Sequence, residues 1–297
     1  MNQASTLKKL KDGSIKADSF GERFRKKLES DDASRMVVCF SSGKGGVGKT
    51  TLVINTAQAL SRHGKRVMIL DGDLGLANID VMLGLTPEYS LEHVISGEKN
   101  LEDIIIHGPD DIMLLPASSG VTSMTSLGES EKLFLLNEFS RFSLPVDIML
   151  VDSPAGIAEN VVYFNMAAQH RVIIITPEPT SVTDAYALIK ILSTRHKIKH
   201  FSLLINMVKN EQEAKMIYRQ FTSVTDRFLG TLSLGYLGYI PKSAAITEAV
   251  RRQATVMDRH PETAEYFTEI AGNILDLRTR RHIDGNIRFF WNHILGH

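Results

Sequence analysis

The chain has 297 residues, 34 basic and 34 acidic side chains, and 43% hydrophobic positions, an ordinary globular balance that speaks against a general nucleic-acid binder. At this mass about three quarters of the unfolded surface can be buried, so one large core needs no covalent staple. A single cysteine, Cys39, excludes an internal disulfide, a four-cysteine zinc site or an iron–sulfur ligand set within the chain, and suits the reducing cytoplasm, as does the lack of a signal-like start or an apolar run near 18 residues.

Residues 1–35 carry nine Lys or Arg and six Asp or Glu with few large apolar side chains, and the pattern changes at Met36. This segment is expected to be an N-terminal extension, either partner-binding or unstructured. Short apolar runs follow at 36–40, 67–70, 112–115, 148–151, 172–175, 203–205 and 237–240, separated by stretches long enough for helices, such as 50–62 and 183–194. Runs that lack polar alternation read as strands buried on both faces, so the expected fold over 36–275 is α/β, a mostly parallel twisted sheet with helices on both sides. Polar or turn residues end most of these runs, at Ser41-Ser42-Gly43, Asp71-Gly72-Asp73, Asp152-Ser153-Pro154, Thr176-Pro177 and Asn206. Ligands in such sheets bind beyond the carboxyl ends of the strands, so these five segments are expected to face one site.

The segment Gly43-Lys44-Gly45-Gly46-Val47-Gly48-Lys49-Thr50-Thr51 follows a strand and opens a helical pattern. Two fingerprints overlap in it. As G-x-G-x-x-G it is a dinucleotide turn; as G-x-x-x-x-G-K-[ST] it is a phosphate loop. Only the second accounts for Lys49, placed to reach the β- and γ-phosphates, and Thr50, whose hydroxyl can ligate Mg²⁺. Asp152 closes an apolar strand run in the Walker B manner, where it can hold Mg²⁺ through water.

The phosphate loop resembles the deviant Walker A of the MinD/ParA ATPases, marked by the early lysine, Lys44. That resemblance implies an ATP hydrolase in which Lys44 reaches across a nucleotide-sandwiched homodimer, Asp73 aligns the attacking water, Asp71 supports the Mg²⁺ shell, and Asn206 and Pro241 contact adenine. An Asn-Lys-x-Asp guanine-reading segment is lacking, which agrees with ATP as the nucleotide. Residues 73–87, 178–190 and 224–229 are similar to the FlhG group of flagellar-number regulators within that family. The similarity implies flagellar regulation; MinD-type division-site placement and ParA-type DNA partition are the alternatives.

Both termini add expectations. Asn2-Gln3-Ala4-Ser5-Thr6-Leu7-Lys8 partly matches the motif through which FlhG-type proteins engage the GTPase FlhF, with Gln3, Ala4 and Leu7 as the matching residues. Flagellar transcription activators and switch-ring proteins are further partners that the resemblance implies. In 276–297, Ile287, Phe290, Trp291, Ile294 and Leu295 share one helical stripe, just after Arg278, Arg280 and Arg281. Relatives use such a helix as a membrane anchor, which implies a cytoplasmic protein held peripherally on the inner membrane when ATP-bound.

Overall fold

The computed structural model describes residues 36–72, 79–116, 144–230 and 232–279, together with Phe134, Glu138 and Phe142. Asp73, residues 2–8 and residues 287–295 lie outside that set. All described residues belong to one unit, Arg35–His297.

The element order is β1 (Met36–Ser42), α1 (Lys49–Arg62), β2 (Val67–Asp71), α2 (Ile79–Leu83), α3 (Leu91–Ile95), β3 (Ile106–His107), β4 (Met113–Leu115), β5 (Ile148–Ala155), α4 (Glu159–Ala167), β6 (His170–Ile175), α5 (Pro179–Thr194), β7 (His200–Val208), α6 (Glu211–Leu229), β8 (Ser233–Pro241), α7 (Ala244–Arg251) and α8 (Pro261–Thr279). Eight strands form one sheet in the order β3-β4-β2-β5-β1-β6-β7-β8. Every pairing is parallel except β3 with β4.

Alternate residues of each strand serve opposite layers, as the two-residue pleat requires. Val38, Phe40, Ile69, Leu150 and Ile174 face a layer that includes α1 and α8. Val37, Cys39, Leu70 and Val151 face the other side, with Phe164 and Ala167 of α4. Ile173, Ile175, Leu203 and Ile205 continue that side under α5 and α6. Both faces of the sheet are thus covered, which is why its strands read as unbroken apolar runs.

Each expected run lies in or beside a strand. The two-residue β3 was not anticipated, because a short antiparallel edge leaves no apolar run. Helix α5 begins at Pro179, four residues before the expected start; proline fits the first helical turn, where its missing N–H has no partner to lose. Strand β1 sits between β5 and β6, so the chain leaves it in one direction for β2 and later returns past it for β6. This reversal of strand order falls at β1, whose carboxyl end carries the glycine-rich segment, the place where ligands bind in such sheets.

Candidate nucleotide-binding site

Gly46 and Gly48 have φ of +79° and +83°, the left-handed region that only glycine occupies freely. Gly48 is the N-cap of α1 and provides no side-chain cap, and the first turn of α1 holds no acidic residue. The leading N–H groups of the helix, with the positive end of its dipole, are therefore suited to an anion. A Cβ at Gly45 or Gly46 would meet nothing within 4 Å, so there is open space at both positions. At Gly43 a Cβ would instead run into the backbone of Asp184 on α5. Glycine here admits α5 close to the loop.

Lys49 forms an ion pair with Asp152, whose side chain is almost fully buried. Parallel pairing sets Asp71 of β2 level with Asp152 of β5. Both carboxylates thus stand at the same height beside the loop, with Thr50 in the first turn of α1. One hydroxyl and two carboxylates are the hard oxygen donors that suit Mg²⁺, an ion that keeps several waters. Asp71 also accepts from the Ile79 N–H at 3.4 Å. Gly72 donates its N–H to the Asp152 carbonyl at 2.9 Å, and a Cβ at Gly72 would stand only 2.8 Å from that oxygen.

The Lys44 ammonium lies 2.5 Å from Glu178 and 3.1 Å from Thr180 at the start of α5. The Ser42 hydroxyl donates to the Lys44 carbonyl at 2.9 Å. Gly156 donates its N–H to Ser42 O at 2.9 Å, so the loop after Asp152 is tied to the strand that leads into the phosphate loop. Beneath it, Asn165 Nδ2 donates to Ser41 Oγ at 2.8 Å, and Ser41 Oγ is 2.9 Å from Ser153 Oγ. All three side chains are fully buried and join β1, β5 and α4.

On the other flank, Asn206 Nδ2 donates to the Val47 carbonyl at 2.7 Å, and Asn206 Oδ1 accepts from the Met207 N–H at 2.9 Å. A primary amide has two donor hydrogens and two lone pairs, so Asn206 keeps capacity for a further ligand while it holds the loop. Pro241 at the end of β8 pairs in register with Val208, two residues on. Thr51 gives its carbonyl to Asn55 Nδ2 at 2.8 Å, and Asn55 Oδ1 accepts from Val256 N at 2.9 Å.

The structure thus gathers Gly43 to Thr51, Asp71, Asp152, Asn206 and Pro241 at the carboxyl edge of the sheet. Sequence reasoning placed Ser41 and Ser153 in segments expected to face the site without giving either a role, and left out Glu178, Thr180, Asn165 and Met207. Parallel topology decides their placement, and no spacing rule in the chain announces it. Cys39, within β1, is buried under α4 on one face of the sheet, and burial pushes its thiol up to about 11.

Residues 33–275 match the ParA family model, described as "NUBPL iron-transfer P-loop NTPase". The chain belongs to the ParA/MinD family of P-loop ATPases. Iron transfer, in that description, finds no thiolate set here, since Cys39 is the sole cysteine. "Antiactivator FleN" of Pseudomonas aeruginosa is 40% identical over 263 residues, spanning 88% of this chain and 94% of that protein. "Flagellum site-determining protein YlxH" of Helicobacter pylori is 32% identical over 237 residues, spanning 79% and 80%. Among solved structures, a chain of the MinC:MinD cell division protein complex of Aquifex aeolicus matches with TM-score 0.63 and 26% identity, covering 81% of this chain and 96% of that one.

Proposed function

We propose that this chain is a Mg²⁺-dependent ATPase switch that regulates flagellar number and placement. The supporting observation is the complete phosphate-loop geometry in a chain that is 40% identical to an antiactivator and spans 94% of it. In this reading the N–H groups of Gly45 to Thr50 surround the phosphates. Lys49, paired with Asp152, transfers its ammonium to the β- and γ-phosphates. Thr50, Asp71 and Asp152 would hold Mg²⁺, directly or through water, and the ion supplies neutralising charge to the phosphates. Asp73 aligns the attacking water, since phosphoryl transfer asks chiefly for positioning and charge neutralisation. Asn206 and Pro241 contact adenine.

Lys44 acts across an ATP-dependent homodimer. Its ammonium is held by Glu178 and Thr180 of its own protomer, so dimerisation requires it to leave Glu178 for the partner's phosphates. The pair is solvent-exposed, and exposed pairs of this kind are worth at most about 1 kcal/mol, a small barrier beside a multiply charged phosphate. The stripe Ile287, Phe290, Trp291, Ile294 and Leu295 binds the inner membrane weakly in one copy and strongly in two, through effective concentration. Gln3, Ala4 and Leu7 engage an FlhF-type GTPase, and a flagellar transcription activator and switch-ring proteins are further partners.

Light scattering with ATP and Mg²⁺, on wild type and Asp73→Ala, tests the core of the proposal. Accumulation of an ATP-dependent dimer in the variant is expected; a nucleotide-bound monomer in both proteins rejects the switch. Flagellar counts after deletion separate flagellar control from MinD-type septum placement, which instead yields misplaced divisions.

A further inference from the structure

Strand β7 is buried from Phe201 to Asn206 and again at Val208, yet Met207 between them is 40% exposed. Its φ is +60°, a left-handed conformation that costs a side-chain-bearing residue energy and that glycine adopts freely. The pairing with β8 slips between Asn206 and Val208, so Met207 is the extra residue of a bulge. The bulge turns two groups toward the phosphate loop. Asn206 is directed inward to Val47 O, and the Met207 methyl Cε comes within 3.4 Å of where a Cβ on Gly48 would stand. The partly exposed Met207 side chain therefore reaches the N-terminus of α1, beside the glycine-rich loop.

Strained non-glycine backbone of this kind persists where the surroundings impose it, and it concentrates at ligand sites. Methionine is a polarizable, adaptable apolar surface that packs well on aromatic rings. We propose that Met207 is a specificity-determining residue, a thioether platform that supports one face of the purine ring of a bound nucleotide, and that the left-handed bulge serves to aim it there. This rests on the nucleotide reading above. A flat apolar platform favours a purine over a pyrimidine, because the larger ring covers more of it, and contributes nothing to a bare phosphate chain. Asn206, in contrast, serves both the base and the loop.

Calorimetric titration with ADP, CDP and inorganic pyrophosphate, in Mg²⁺, separates these contributions in wild type, Met207→Leu, Met207→Ala and Met207→Gly. The expected result is an ADP affinity about fivefold lower in the alanine and glycine variants, a smaller loss for CDP, and pyrophosphate affinity unchanged. Leucine restores most of the ADP affinity. Met207→Gly is expected to melt at or above the wild-type temperature, since glycine relieves the left-handed strain, so weaker binding in that variant is not a folding defect. Equal losses for ADP and pyrophosphate overturn the proposal by showing that Met207 only props the loop. Unchanged ADP affinity in the variants overturns it alone, whereas a wild type that binds none of the three ligands overturns the nucleotide reading with it.

Discussion

Lys49 and Asp152 neutralise each other at the buried floor of the site, and in the proposed reading Lys49 is the cation that meets the phosphates. Lys49→Ala is expected to lower ATP turnover on the order of 100-fold, the scale for a lost charge-stabilising donor, as read by phosphate release. Gly48 is constrained twice, by its φ of +83° and by the Asn206 amide 2.7 Å from where a Cβ would lie. Gly48→Ala should destabilise the fold by about 1–2 kcal/mol from backbone strain alone, before the cost of displacing Asn206, visible as a lower urea midpoint. Cys39 is held as a neutral thiol by burial, and reaction with thiol reagents needs the thiolate and access. Labelling at neutral pH should therefore occur only on unfolding.

At the scale of elements, two ties fix the sheet at opposite ends. Arg66, just before β2, donates Nε and Nη2 to Asp147, just before β5, at 2.9 and 2.6 Å. These bonds hold the Asp147 carboxyl down at about 2. A folded value below the unfolded value of about 3.9 stabilises the protein above that pH, and the contribution is lost as pH falls through about 4 toward about 2. Asp147→Asn should remove about 1 kcal/mol at pH 7, given the exposure of Arg66, with the difference from wild type closing in acid denaturation scans. At the other end, the buried Ser41, Ser153 and Asn165 contacts fasten α4 to the strands that carry the phosphate loop and Asp152. Ser153→Ala removes a hydroxyl from this network without adding bulk, and a cost of about 1 kcal/mol is expected in chemical denaturation.

For the whole molecule, α8 packs across α1 and β8, so the last described helix closes the layer that the phosphate-binding helix belongs to. Phe267 on α8 is fully buried, and Phe267→Ala should cost about 3–5 kcal/mol in cooperative unfolding although it lies outside the candidate site. Nucleotide bound at 100 times its dissociation constant adds about 2.7 kcal/mol by mass action. A chain of this size should then melt several degrees higher with Mg·ATP in differential scanning fluorimetry. The same shift should be absent in Lys49→Ala, which loses the cation placed for the phosphates.

The sequence by itself determined the architecture and pointed to where a chemical centre would lie. Apolar runs without alternation require a sheet buried on both faces, and a glycine-rich turn ahead of Lys49 and Thr50 marks a helix start suited to an anion, because these are local consequences of strand burial and helix-end hydrogen bonding. Residues far apart in the chain were another matter. Asp71 comes level with Asp152 only through the β2–β5 register, Lys44 meets Glu178 only because α5 crosses close to Gly43, and Met207 faces the loop only because β7 bulges against β8. The tertiary structure decided these contacts, since strand order and register bring together side chains whose sequence separation carries no periodic signal.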